Sequence, residues 1–272
     1  MSEINISDRQ AIIFEIEQNL CETWSTFGRG PGCALHDEKD ALWFETPIPI
    51  IPYNGVLRFR VQDRIDERID QIIGCFNERG IPFMWILHPT SFPPDLPVRL
   101  QKRGLKDVEP IYGMARTLSC LPDIPPLPAG FEMRKVADES DATAFYQFAA
   151  WRWNIPAEYT EKYATITASF QLGKPGSRGY MWQVWREGHP VAKAGMYLGS
   201  GSAGIYAVVT LPEARRLGLA GILTITALRE ARSAGYNLAV LHSTLMAQNL
   251  YQSLGFATFA EFRLFASQDV QV

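Results

Sequence analysis

A loop that carries two arginines and a glycine lies between a predicted strand and a predicted helix. Residues 211–221 read Leu-Pro-Glu-Ala-Arg-Arg-Leu-Gly-Leu-Ala-Gly. Free N–H groups at a helix start bind phosphate, and guanidinium groups suit phosphate oxygens. The segment therefore predicts an anion site, in which Gly218 lets the backbone approach the anion. The alternative is a plain turn in which Gly218 only caps the helix.

A tyrosine occurs one helix and one strand further along the chain. Tyr251 lies in a predicted short helix that is followed by Gly255 and Phe256. A phenol with a pKa of about 10 is able to act as a general acid. Taken alone, Tyr251 is also explained as a packed core residue, so its chemical role depends on the loop that precedes it.

The elements predicted around these residues alternate between sheet and helix. Apolar spacing and glycine connections predict strands at 131–136, 180–186, 191–198, 204–210 and 237–241. Helices are predicted from Asp138 or Ser140 through Phe148, at 157–170 and at 219–234. This alternation predicts an α/β fold with a mixed sheet, in which the loop joins a strand to the start of a helix.

The two motifs together resemble the GNAT superfamily of acyl-CoA-dependent N-acyltransferases. Arg215-x-x-Gly218-x-Ala220 matches its Gln/Arg-x-x-Gly-x-Gly/Ala signature, and residues 247–256 match its short helix with a tyrosine and a terminal Gly-Phe. Walker-type and dinucleotide-binding loops match less well, because neither of their glycine patterns is present. The resemblance implies an intact GNAT fold for the C-terminal domain, residues 131–272.

The resemblance also implies roles for individual residues. The pyrophosphate of acetyl-CoA would be held by the loop residues Arg215, Arg216, Leu217, Gly218, Leu219, Ala220 and Gly221. The backbone of the preceding strand would bind the pantetheine arm at Val208 and Thr210. Tyr251 would be the general acid that protonates the CoA thiolate. Thr244 stands where many members have Asn, which weakens one expected contact.

The base and the acceptor pocket are assigned by their place in this pattern. His242 lies at a strand end beside the expected cleft and titrates in a suitable range, although a histidine at such a position is often structural. The family walls its acceptor pocket where this chain has Trp151, Trp153, Glu158 and Tyr159. Aromatic rings with a carboxylate suit a cationic amine, but packing of helices onto the sheet explains the tryptophans equally well.

Residues 1–121 repeat the order strand, helix, strand, short helix and strand without the two motifs. Only Gln62 and Asp63 separate the strand from the helix, and Leu100 stands where Tyr251 stands in the other half. The proline-rich residues 122–130 are predicted to be a linker, because their middle suits neither a helix nor a sheet. The chain therefore resembles tandem GNAT proteins whose N-terminal domain is a degenerate copy.

Composition limits the class of protein and its partners. The 272 residues are 47% hydrophobic with a formal net charge of −3, which is typical of a globular protein and argues against nucleic acid as a partner. The four cysteines are too widely spaced for a metal or redox pair, and no segment is apolar enough to span a membrane. We therefore expect a cytoplasmic, metal-free protein that uses acetyl-CoA, with a homodimer as one possible assembly.

The pattern favours an N-acetyltransferase in which a small-molecule or peptide amine attacks acetyl-CoA directly. One alternative is a non-catalytic acyl-CoA sensor that keeps the fold and the loop, against which the presence of Tyr251 counts. A second is a transferase that uses charged tRNA. That activity would require a basic groove and no pyrophosphate loop, so the net charge and the intact loop both argue against it.

Overall fold

The computed structural model describes residues 8–152 and 155–268. These residues form two compact units, each assembled from several stretches of the chain. Unit 1 contains the described residues of Met1–Asn19, Tyr112–Asn154 and Phe170–Phe259. Unit 2 contains the described residues of Leu20–Ile111, Ile155–Ser169 and Ala260–Val272. The linker at 122–130 and the domain limits on either side of it stay predictions.

Helices and strands alternate in a mixed α/β arrangement, which confirms the fold class predicted from the sequence. The helices are α1 (Arg9–Ser25), α2 (Ile65–Glu78), α3 (Leu96–Lys102), α4 (Glu139–Arg152), α5 (Thr160–Thr167), α6 (Leu219–Ser233) and α7 (Gln248–Ser253). The strands are β1 (Ala34–Asp37), β2 (Ala41–Glu45), β3 (Gly55–Phe59), β4 (Met84–Leu87), β5 (Lys106–Thr117), β6 (Phe131–Lys135), β7 (Gly179–Arg186), β8 (His189–Leu198), β9 (Ala203–Thr210), β10 (Leu238–Ser243) and β11 (Ala257–Ala266). Every helix within residues 8–152 and 155–268 is too short or too polar to cross a membrane.

Within the described residues, unit 1 is built on strands in the order β5-β10-β9-β8-β7-β6. Strands β9 and β10 are parallel, and the other neighbouring pairs are antiparallel. Helix α6 joins the two parallel strands and buries Leu219, Leu223 and Leu228 in the core of this unit. Because a parallel connection must cross back over the sheet, α6 begins at the end of the sheet where β9 finishes.

Unit 2 has a separate core beneath the strands β1-β2-β3-β4-β11. Strands β3 and β4 are parallel and are joined through α2. The last residues of β11, from Arg263 to Ala266, pair antiparallel with β4. Phe265 is fully buried there and belongs to the same apolar cluster as Trp85 and Phe76. The core of this unit therefore includes a side chain from the far end of the described chain.

The helix predicted at 157–170 is shorter in the structure. Helix α5 is flanked by 3₁₀ turns at Ala157–Tyr159 and Ala168–Phe170. The hydroxyl of Thr167 donates to the Tyr163 carbonyl at 2.7 Å and to the Ala164 carbonyl at 3.0 Å. The regular helix therefore covers only Thr160–Thr167, the middle of the predicted segment.

A buried amide fixes the connection between β8 and β9 in unit 1. Asn19, on α1, is 1% exposed and donates from Nδ2 to the Ser202 carbonyl at 2.7 Å. Its Oδ1 accepts a hydrogen bond from the Tyr206 hydroxyl at 2.8 Å. A Cβ atom at Gly204 would overlap both the Asn19 side chain and the Tyr206 ring. Glycine is therefore required at position 204 by close packing.

We predict that Gly204→Ala lowers the free energy of unfolding by about 1–3 kcal/mol, because the added methyl group has no room. The matched control is Gly74→Ala in α2, where a Cβ atom meets nothing within 4 Å. That variant is expected to gain up to about 1 kcal/mol from helix propensity. Urea unfolding followed by circular dichroism measures both, and equal stability of Gly204→Ala and wild type would contradict the packing argument.

Candidate functional site

Strands β9 and β10 stop pairing with each other partway along their length. Their parallel ladder consists of three pairs and ends at Ile205 and Leu241. Strand β9 continues to Thr210 and β10 continues to Ser243 without further pairing to each other among the described residues. Backbone N–H and C=O groups on that side of β9 are therefore available to an extended ligand, because an unpaired strand edge is a template for hydrogen bonding.

A bulge in β9 lies where the two strands separate. Lys193 of β8 is paired with Val209, whereas Gly195 is paired with Tyr206, so two residues of β9 oppose one residue of β8. Ala207, within this bulge, has a φ of 52°. A bulge bends its strand and changes the direction of the following residues. The segment that contains the predicted pantetheine-binding residues Val208 and Thr210 is thus turned relative to the paired part of β9.

The predicted anion loop connects β9 to α6 in an exposed, concave conformation. A 3₁₀ turn at Pro212–Ala214 is followed by Arg216 with a φ of 63° and Gly218 with a φ of 78°. The side chains of Arg215, Arg216 and Leu217 are exposed. Helix α6 begins at Leu219, and the N–H groups of its first turn have no acceptor within the helix. Left-handed residues beside a helix start form a concave group of N–H donors, which suits an anion.

The residues present fit a pyrophosphate with an attached chain. The Oγ1 atom of Thr210 is buried and has no hydrogen-bond partner within residues 8–152 and 155–268, although a buried hydroxyl normally has one. The carbonyl of the same residue accepts a hydrogen bond from Arg215 Nε at 3.4 Å, which ties the loop to the end of β9. A Cβ atom at Gly218 would meet nothing within 4 Å, so the space beside the loop is open.

Tyr251 lies on α7, close to the start of α6. A Cβ atom at Gly221, in the first turn of α6, would lie 3.9 Å from Leu250 Cδ1, so the two helices approach each other beside Tyr251. The tyrosine is 7% exposed and meets Phe256 edge to face, with ring centroids 6.0 Å apart. Burial raises the pKa of Tyr251 to about 12, because the phenolate loses its hydration. The phenol is therefore protonated throughout the neutral range.

His242 occupies the position on β10 directly after the last residue paired with β9. On its other side it is paired in register with Gly113 of β5. The residue as a whole is half-buried, and both of its imidazole nitrogens are shielded from solvent. The next residue, Ser243, donates from Oγ to the Thr244 carbonyl at 2.8 Å. His242 thus lies at the edge of the opening between the two strands, and its role as a base stays a prediction.

The residues assigned to the acceptor pocket are distributed between the two units and the part of the chain outside the described residues. Trp153 lies outside the described residues, as does the side chain of Trp151. Glu158 and Tyr159 belong to the 3₁₀ turn at Ala157–Tyr159 in unit 2, whereas the loop and Tyr251 belong to unit 1. Glu158 is exposed, and Lys162 Nζ lies 5.4 Å from the Tyr159 ring centroid. Their assignment to an acceptor pocket stays a prediction.

An arginine outside both sequence motifs contacts the end of α7. Arg116, on β5, is 8% exposed and donates to three backbone carbonyls: those of Leu254, of Thr117 at 3.0 Å and of Cys120 at 2.5 Å. The available sequence signal was a charged residue inside the otherwise apolar strand segment Met114 to Leu118. Its partner Leu254 lies 138 residues away, so no local pattern indicates the contact.

The site contains polar groups suited to an organic anion. In the part of the chain that the structure describes, no group of three His, Cys, Asp or Glu side chains is placed to hold a metal ion. The groups that converge in unit 1 are the unpaired edge of β9, the N–H donors of the loop and the buried phenol of Tyr251. Together these groups suit a ligand that has an extended polar chain attached to a phosphate.

Comparisons with known proteins agree with this geometry. Residues 142–256 match the model of the acetyltransferase (GNAT) family. No curated protein matches the sequence at a significant level. Among solved structures, a GCN5-related N-acetyltransferase from Kribbella flavida superposes with a TM-score of 0.67 at 19% identity, covering 92% of this chain and 96% of its own.

Two further structures show the same fold. A tandem GNAT protein from the clavulanic acid biosynthesis pathway has a TM-score of 0.63 at 12% identity, covering 98% of this chain and 97% of its own. A GCN5-related N-acetyltransferase from Sphaerobacter thermophilus has a TM-score of 0.56 at 19% identity, covering 73% and 65%. At these identities the likeness shows the fold and not the activity. Residues 142–256 are therefore a domain of the GNAT acetyltransferase family, in a chain that has the fold of tandem GNAT proteins.

Proposed function

We propose that the protein is an N-acetyltransferase that transfers an acetyl group from acetyl-CoA to a primary amine. The observation that carries the proposal is the parting of β9 and β10 directly beside the loop that opens α6. An unpaired strand edge suits the amide-containing pantetheine arm, and the loop suits the pyrophosphate at its other end. The buried hydroxyl of Thr210, for which the described part of the chain offers no hydrogen-bond partner, lies between these two features.

Direct transfer requires two proton movements that this chain's residues would support. The amine nitrogen forms a bond to the thioester carbonyl carbon while its excess proton leaves to a base, for which His242 is the candidate. The C–S bond then breaks, and the CoA sulfur receives a proton from the Tyr251 hydroxyl. Direct attack by the amine needs no enzyme nucleophile, and neither residues 211–221 nor residues 247–256 contain a cysteine.

Burial of Tyr251 affects both partners in the second proton transfer. A phenol with a pKa of about 12 is a weak acid in water. A thiolate released in the same low-polarity surroundings also loses hydration, so the pKa of its thiol rises as well. At the site, the pKa values of the phenol and of the CoA thiol therefore differ by less than a comparison of the buried phenol with a thiol in water suggests. A buried phenol is for this reason compatible with protonation of the leaving group.

We predict that wild-type protein binds one equivalent of acetyl-CoA and that Gly218→Glu abolishes this binding. The glutamate adds negative charge and bulk where the pyrophosphate would lie, and it forces a side chain into a backbone with a φ of 78°. Isothermal titration calorimetry measures both proteins.

The matched control for this prediction is Gly235→Glu. Gly235 has a φ of 88° and open space around its Cβ position, and it lies at the opposite end of α6, about 22 Å away by helix length. The control carries the same added charge and backbone strain and is expected to bind acetyl-CoA within about threefold of wild type. Absence of binding by wild type, or equal loss in both variants, would contradict the loop assignment.

We predict that Tyr251→Phe reduces kcat about 10²-fold while the Kd for acetyl-CoA changes less than about twofold, because the hydroxyl acts only on the leaving group. Release of CoA thiol, screened over a library of primary amines, measures turnover. Binding that survives without any turnover in wild type would favour the non-catalytic acyl-CoA sensor instead.

The pH dependence of turnover provides a separate test of the general acid. The folded-state pKa of Tyr251 is raised to about 12, so the proton-donating form is fully present below pH 10 and is lost only as the pH rises through about 12. Activity is therefore expected to rise as the amine loses its proton and to show no falling limb up to pH 10. A falling limb near pH 8 that persists in Tyr251→Phe would assign the acid to another group.

A further inference from the structure

Among the described residues, the buried guanidinium of Arg116 bonds carbonyl groups and no carboxylate. Its hydrogen bonds go to the carbonyl oxygens of Thr117, Cys120 and Leu254. Burial lowers the pKa of Arg116 from its usual value, as expected for a cation that has lost hydration. A buried charge is costly unless hydrogen bonds replace its lost water. The burial of this charge is unfavourable by itself. The three hydrogen bonds offset that cost and fix the positions of three backbone carbonyl groups.

One of these bonds is at the end of the helix that carries Tyr251. Leu254 is the first residue after α7, and its N–H donates to the carbonyl of Tyr251 at 3.1 Å. The N–H of Phe256 donates to the same carbonyl at 3.0 Å. Carbonyl groups at a helix end carry partial negative charge, which a cation stabilises. Arg116 thus binds the turn whose amides hold the backbone of Tyr251.

Gly255 allows this arrangement at close range. Its φ is 83°, and a Cβ atom there would lie 3.1 Å from Arg116 Nη1 and 3.3 Å from its Cζ. The guanidinium therefore packs against the backbone between Leu254 and Phe256. This contact gives a physical reason for the glycine at position 255, in the Gly-Phe motif.

We propose that Arg116 is a positioning residue for Tyr251, an inference that rests on the proposed function. The arginine holds the C-terminal turn of α7 to β5, and this contact sets the place of the phenol relative to the leaving sulfur. The planar guanidinium reaches three carbonyls in fixed directions, which the single ammonium of lysine does not reproduce. Displacement of a reacting group by about 1 Å is enough to cost up to about 10²-fold in rate.

The first experiment is a double-mutant cycle on CoA thiol release, with the amine selected by the library screen. Arg116→Lys keeps the charge and the side-chain stem, and it is expected to lower kcat about 10-fold to 100-fold with KM for acetyl-CoA changed less than about twofold. In the Tyr251→Phe background the same substitution is expected to have less than a twofold effect, because the group it positions is already absent. Equal losses in both backgrounds would overturn the inference.

The matched control is Arg229→Lys. Arg229, on α6, also donates to a backbone carbonyl, that of Pro122 at 3.0 and 2.8 Å, and to the Asp123 carboxylate at 2.7 Å, and both partners lie outside α7. Its kcat is expected to equal that of wild type. The Tyr251→Phe variant is measured before any Arg116 variant is made. An unchanged kcat in that variant would refute the role of Tyr251 as general acid in the proposed function.

A second experiment needs neither substrate nor turnover. Hydrogen–deuterium exchange followed by NMR reports on the amides of Leu254 and Phe256, both of which bond the Tyr251 carbonyl. In Arg116→Lys these amides are expected to exchange at least about tenfold faster, while amides of α6 keep their wild-type rates. Unchanged exchange at Leu254 and Phe256 would overturn the positioning role. Uniformly faster exchange throughout unit 1 would do the same, because it would show a general loss of stability.

Discussion

The site depends on an interruption of the sheet between two parallel strands. A continued parallel ladder would occupy the backbone N–H and C=O groups of β9 that face β10. Instead the pairing with β10 ends at Ile205 and Leu241, and the bulge at Ala207 turns the next residues. The free edge, the loop and the start of α6 then follow one another along the chain. Parallel topology places the first turn of that helix beside the end of the strand.

Two buried polar side chains hold elements on which this interruption depends. Asn19 forms hydrogen bonds with Ser202, which directly precedes β9, and with Tyr206, the first residue of β9 after its ladder with β10 ends. Arg116 bonds the far end of α7. Asn19 bonds groups that are distant in sequence, as Arg116 does at Leu254, and a glycine packs closely against each side chain, Gly204 against Asn19 and Gly255 against Arg116. Polar contacts of this kind set directions and distances more closely than apolar packing does.

The sequence predicted the parts of the site that are local in the chain. The loop around Gly218 and the helix around Tyr251 were recognised because each motif is continuous, and the mixed sheet followed from the apolar spacing of its strands. Long-range partners left no comparable pattern, so Arg116 and Asn19 were not recognised. The left-handed conformation of Arg216 was also not apparent, since residues other than glycine adopt a positive φ infrequently. Strand β1 was missed because Ala34-Leu-His-Asp is short and polar at one end.

The pairing of β11 with β4 has a consequence for biosynthesis. Strands β5 to β10 have been made once the ribosome passes Ser243, whereas unit 2 receives its last strand only with residues 263–266. The half of the protein that is translated first is therefore completed last. Until then β4 presents an unpaired edge next to apolar residues such as Trp85, and an exposed edge of this type readily pairs with another chain. During translation this unit would depend on delayed release or on a chaperone more than unit 1 does.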